Sequence, residues 1–175
     1  MHESGRPPPS REDLESLRDA IRSGEVLIVK ERNPWGPLLV EGPKDVENRT
    51  WVPKNADNCW ILVACSKNKP SRADLQDAAA RLAACSGVPV SAERMLALSR
   101  SDGGAIVGAI RLCGAFKVCD PPSVWHNPPD WGWRVDRAVA FASRVLLDET
   151  DKFQTKVWLT SRPQYVSPLL AQLPL

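Results

Sequence analysis

Apolar and polar positions alternate along this chain in two rhythms. Leu14, Leu17 and Ile21 recur at helical spacing behind Ser10-Arg11-Glu12-Asp13, a capping-box-like start with Asp13 in place of the usual Glu or Gln. Gly24 supplies the stop. The far face of this helix is polar, so it is expected only to flank the core. Residues 25–30 then form a short continuous apolar run, which predicts a strand buried on both faces. Residues 34–41 begin with Pro and predict a helical turn. Gly42-Pro43 makes a tight turn.

After that turn the alternation is strict. On a strand ending at Trp51, Asp45, Glu47, Arg49 and Trp51 share one face, and Val46, Asn48 and Thr50 share the other. An acid, a guanidinium and an indole thus line one surface, with Lys44 at its rim. A loop follows at 52–58. Cys59 to Cys65 is the most strand-like run in the chain, and 66–70 is a basic loop. Ser71 caps a helix reaching about Cys85, with Leu75, Ala78, Ala79 and Leu82 as its inner stripe. Residues 91–99 predict a short helix and 101–104 a turn. Ala105 to Val118 reads as a long strand bent at Gly108 and Gly114, as closing a small barrel requires. Residues 120–130 are Pro-rich and exclude a regular element. The apolar tail from Pro163 to Leu175 is expected to pack back as a turn or short helix.

Composition narrows the class. At 175 residues, 43% hydrophobic and 25% charged, the chain reads as one domain over 11–175 behind a disordered, mildly basic tail at 1–10. No apolar run approaches the roughly 18 residues of a membrane span. The N-terminus lacks the apolar stretch of a secretory signal, so an intracellular location, cytoplasmic or nuclear, is expected. Net charge is +2, but residues 30–72 hold eight basic side chains against five acidic ones. That bias suits a nucleic-acid partner without demanding one. The five cysteines form no Cys-x-x-Cys pair and the histidines are only His2 and His126, so neither zinc, a disulfide framework nor any cofactor is implied. Cysteines in apolar strands are expected to be buried thiols.

Asn33-Pro34-Trp35, followed by Gly42-x-Lys44-x-x-Glu47-x-Arg49-x-Trp51, resembles the signature of the ASCH domain, a member of the PUA-like superfamily with the PUA, EVE and YTH modules. The likeness is greatest to the cointegrator-type ASCH domains of transcription coactivators. It also covers the passage from Cys59 to Leu82, and extends over about 25–160. It weakens after Pro121. The resemblance implies an α+β fold, a PUA-like mixed β-barrel with flanking α-helices. Propensity alone allows a helix from Val135 to Leu147; the resemblance implies a Trp-containing strand from Trp131, with Lys156 to Leu159 as the last barrel strand.

It further implies a cleft that binds RNA or DNA, single-stranded or carrying a modified nucleotide. Aromatics there stack bases and cations hold phosphates. Candidate residues are Trp35, Lys44, Glu47, Arg49, Trp51, Lys54, Ser66, Lys67, Lys69, Trp125, Trp131 and Trp133. Trp60 and Trp158 lie in apolar runs and read as core. Two alternatives stay open. Small ASCH proteins resemble this chain and hydrolyse N4-acetylcytidine, while other relatives are ribonucleases. Lys44 matches the lysine of the hydrolase motif, but Glu47 stands where that motif has threonine. If the chain is an enzyme, Lys44 and Glu47 are its catalytic candidates. A protein-interaction adaptor is the third reading, with no partner groove legible.

Overall fold

The computed structural model describes residues 6–99 and 103–174. Residues 1–5 of the expected tail, and Ser101 and Asp102 of the expected turn, lie outside the described residues. Helix α1 (Arg11–Ser23) begins at the capping box. Asp13 N donates to Ser10 Oγ at 3.1 Å and Ser10 N to Asp13 Oδ2 at 2.8 Å. Gly24, at φ 72°, ends it. β1 (Leu27–Glu31), α2 (Trp35–Val40), β2 (Val46–Arg49) and β3 (Cys59–Cys65) follow. α3 (Arg72–Ser86) starts at Ser71, whose hydroxyl accepts from Asp74 N. α4 (Ala92–Ser99), β4 (Ala105–Phe116), β5 (Trp131–Leu146), β6 (Lys156–Trp158) and α5 (Val166–Leu170) complete the order. The 131–146 stretch is strand, as the resemblance implies.

The strands make one mixed sheet in the order β2-β5-β4-β3-β1-β6. β1 and β3 run parallel; the other neighbours are antiparallel. The sheet curls into a half-barrel. Its register shifts at Gly108, where an added Cβ would stand 2.4 Å from Val139 O, so only glycine fits that bend. β2 and β6 are the two edges, and side chains bridge the gap between them. Arg49 on β2 donates to Lys30 O at 3.1 Å and pairs with Glu31 on β1. Lys156 on β6 lies 3.5 Å from the centroid of the Trp51 ring.

Three apolar cores result among the described residues. One face of the sheet packs Ile28, Trp60, Leu62 and Ile106 against Leu17 and Ile21 of α1 and Leu169 of α5. The first helix therefore belongs to the core rather than merely flanking it. The concave face encloses Val29, Leu39, Ile61, Ile110, Leu112 and Trp133. A third core sits beneath α3, where Leu75, Ala78 and Leu82 meet Leu38, Val46, Met95 and Trp125. Among the described residues, no helix is long and apolar enough to cross a membrane.

Several expectations are corrected. Trp158 is 53% exposed, not core, because β6 is an edge with no strand beyond it. Of the cysteines only Cys65 is buried; Cys85 and Cys113 are exposed, since the former ends a helix and the latter faces out of β4. Arg6, assigned to a disordered tail, is docked. Its guanidinium donates to the carbonyls of Leu39 (2.7 Å), Gly42 (2.6 Å) and Lys44 (3.2 Å). Burial pushes its pKa down to about 10, against the opposing charge of Asp45.

Candidate nucleotide cleft

The turn from α2 into β2 aims Lys44 inward. Its N–H donates to Leu38 O, and its Nζ to Val46 O at 2.8 Å. The same ammonium pairs with Glu47. Glu47 Oε1 then lies 3.0 Å from Arg49 Nε, a charge contact that is off-axis for a hydrogen bond. Arg49 in turn pairs with Glu31. A relay Lys44–Glu47–Arg49–Glu31 thus crosses from β2 to β1. The alternation read from the sequence puts Glu47 and Arg49 on one face, as observed. Their surroundings differ from expectation: Lys44 is 3% and Glu47 6% exposed, so Lys44 is no rim residue. The reason is tertiary packing around them, with Arg6 docked on the Lys44 carbonyl and Arg49 reaching Glu31 on β1. Burial pushes the Lys44 ammonium below the usual lysine range, with Glu47 opposing the shift. Burial likewise brings Arg49 down to about 10.

The relay forms one wall of a half-open cavity of about 760 Å³. The Pro-rich loop forms a second. Asn48 clamps it twice, donating to Trp125 O and accepting from Asn127 N, both at 2.7 Å. Ser123 donates to Asp45 at 2.6 Å, and Arg81 on α3 donates to Asn127 Oδ1 at 2.7 Å. The segment after β5 forms a third wall with Asp148, Glu149, Asp151 and Phe153. Asp151 is held by Arg162 at 2.7 Å and by the Tyr165 hydroxyl at 2.9 Å. Ser66 and Lys67 close the fourth side. The Lys67 stem lies over Gly104, where an added Cβ would meet Cε at 2.6 Å.

Of the sequence candidates, Trp35, Lys44, Glu47, Arg49, Ser66, Lys67 and Trp125 line this cavity. Trp51, Lys54, Lys69, Trp131 and Trp133 do not. Trp125 is only 2% exposed and packs beneath α3, so it offers no open stacking face. Trp133 is fully buried and donates from Nε1 to Trp51 O at 2.9 Å. Trp51 meets the Trp133 ring edge-on, and Trp131 lies under Lys117, whose Nζ is 4.9 Å from its ring centroid. The loop aromatics were expected on a ligand surface because prolines exclude regular structure there. Hydrogen bonds from Asn48 and Arg81 fix the loop instead.

Sequence reasoning missed Asn48, Glu31 and Arg81. Asn48 sits on the strand face read as merely opposite to the site. Glu31 ends an apolar run, an unusual place for a carboxylate, and that was the available signal. The lining holds Lys30, Arg32, Lys44, Arg49, Lys67 and Arg81 against Glu31, Glu47, Asp130, Asp148, Glu149 and Asp151. The charges balance, so the cavity is not the cationic notch that the motif suggests. Compared with known proteins, no family model matches the chain, and neither does any curated protein.

Proposed function

We propose that the chain is a nucleic-acid binding module of the ASCH type within the PUA-like superfamily. Its cavity takes a single base, plain or modified, from a single strand of RNA or DNA. The observation that carries this is the gathering of Lys44, Glu47, Arg49, Ser66 and Lys67 around one half-open cavity of about 760 Å³. That size lies in the range of about 300–1,000 Å³ common for small-molecule sites. The balanced lining suits a neutral, hydrogen-bonding heterocycle better than a run of phosphates. The phosphates fall to exposed cations outside the relay, Arg32, Lys67 and Lys69.

Titrating a fluorescein-labelled single-stranded decamer tests this. Lys67→Ala with Lys69→Ala weakens binding and lowers the log–log salt slope by about 0.7 for each phosphate no longer neutralised. Unchanged affinity and slope contradict the reading.

One observation favours a second reading, hydrolysis of an acylated nucleoside such as N4-acetylcytidine. Lys44 lies against the cavity with its proton affinity lowered by burial, and an amine that sheds its proton more easily serves better as a base. Acetate release from N4-acetylcytidine, lost in Lys44→Gln, supports hydrolysis; no release contradicts it.

A further inference from the structure

We infer that Trp158 and Lys156 on edge strand β6 form a second contact surface for single-stranded nucleic acid, outside the cavity; this rests on the binding function proposed above. In register, Lys156 stands opposite Val29 and Trp158 opposite Leu27, and both partners belong to the concave core. Cross-strand partners point to the same side of a sheet. Lys156 and Trp158 therefore face the concave side too. There the sheet ends, and Trp158 keeps 53% of its surface open to solvent.

This strip is continuous with the cavity. Thr155 lines the cavity and accepts from Lys30 N at 2.8 Å. Lys156 comes next, its ammonium 3.5 Å from the Trp51 ring centroid. Trp158 lies three residues beyond Thr155, about 10 Å along an extended strand. A strand that places one base in the cavity meets, on leaving, first an ammonium and then an open indole face. Those groups suit a phosphate and a stacked base respectively.

Two other occupants fit less well. β6 is only three residues long, so it offers little backbone for an added peptide strand. Lys156 shares the strip with Trp158 and lies over the Trp51 ring, and its charge disfavours burial under an apolar partner.

The test uses the full chain and fluorescein-labelled decamers of mixed sequence, as RNA and as DNA, with a free 5′-mononucleotide as competitor. Trp158→Ala is expected to weaken decamer binding between about 5-fold and about 160-fold, with Trp158→Phe restoring most of it. Lys156→Gln is expected to lower the salt slope by about 0.7. The inhibition constant of the mononucleotide, corrected for decamer affinity, stays unchanged in all three, because the cavity is intact. Decamer binding equal to wild type in Trp158→Ala, while Lys67→Ala weakens it, overturns this inference alone. Should Trp158→Ala fail to fold, an unaltered salt slope in Lys156→Gln overturns it equally. A wild type that binds no decamer overturns this inference and the function beneath it. A change of oligomeric state in Trp158→Ala marks the face as a contact between copies and also overturns it.

Discussion

Two clusters of charge are built into opposite faces of the same sheet, and they behave differently. One is the relay Lys44–Glu47–Arg49–Glu31 on the cavity wall. The other lies under α1, where Arg111 and Arg137 both meet Asp13 and Asp136. In the second cluster Asp13 and Arg111 both shift in the direction that favours the charged form. Burial alone would push the Asp13 carboxyl up, but hydrogen bonds from Ser10 and the charges of Arg111 and Arg137 hold it below the usual range. Arg111 is raised, chiefly by its hydrogen bonds to Asp136 and against the opposing effect of burial. In the relay, by contrast, both cations are pushed down by burial. A cluster whose members support one another ties a helix to a sheet. A cluster that holds cations against their solvation cost, beside a cavity, fits the proposed role of meeting a guest.

The contrast is open to attack at several points. The largest effect is expected from Glu47→Ala, which leaves the buried Lys44 ammonium, among the described residues, with Val46 O as its hydrogen-bond acceptor. Removing one member of a buried pair costs about 3–5 kcal/mol, readable in urea unfolding. Asp13→Ala comes next. It removes the side-chain half of the capping box and the bridge to Arg111 and Arg137 together, and a loss of about 2 kcal/mol is expected, with no change in decamer binding. A binding defect in that variant would erase the distinction between the clusters.

The pH dependence separates the clusters by sign. Asp13 has a lowered folded pKa, so its stabilising contribution is present above its unfolded value and is lost as pH falls through the folded one. Asp13→Asn should flatten the acid limb of a stability–pH curve. Lys44 has a lowered folded pKa as a cation, so the unfolded chain binds more protons between the two values and stability rises with pH there. Lys44→Met should remove that rise below pH 10.5. The smallest effect belongs to the exposed pair Arg11–Glu15, where Glu15→Gln should change stability by less than about 0.5 kcal/mol.

What the sequence revealed follows from the range of the forces involved. Helix ends are local chemistry, and Ser10, Gly24 and Ser71 marked theirs correctly. The Cys59–Cys65 strand was legible because its apolar run is unbroken. β5 was ambiguous by propensity, and pairing with β4 along its length decides it. In the site, the shared face of Glu47 and Arg49 was legible from alternation alone. The burial of Lys44 was not, because it comes from tertiary packing that alternation along one strand does not encode. Trp158 misled for the same reason: its neighbours in sequence are apolar, yet it stands on the sheet's last strand. Trp125 misled in the opposite direction, since a proline-rich loop reads as surface until Asn48 and Arg81 pin it down.

The central claim is that the relay serves the cavity rather than the fold, and the double variant Lys44→Met, Glu47→Leu tests it most directly. Replacing a buried ion pair by apolar residues of similar size is commonly neutral or stabilising by about 1–4 kcal/mol. Unfolding midpoint and decamer affinity would be measured on the same preparation. The account predicts an unchanged or higher midpoint with binding weakened at least about ten-fold. A lower midpoint with wild-type affinity would contradict it.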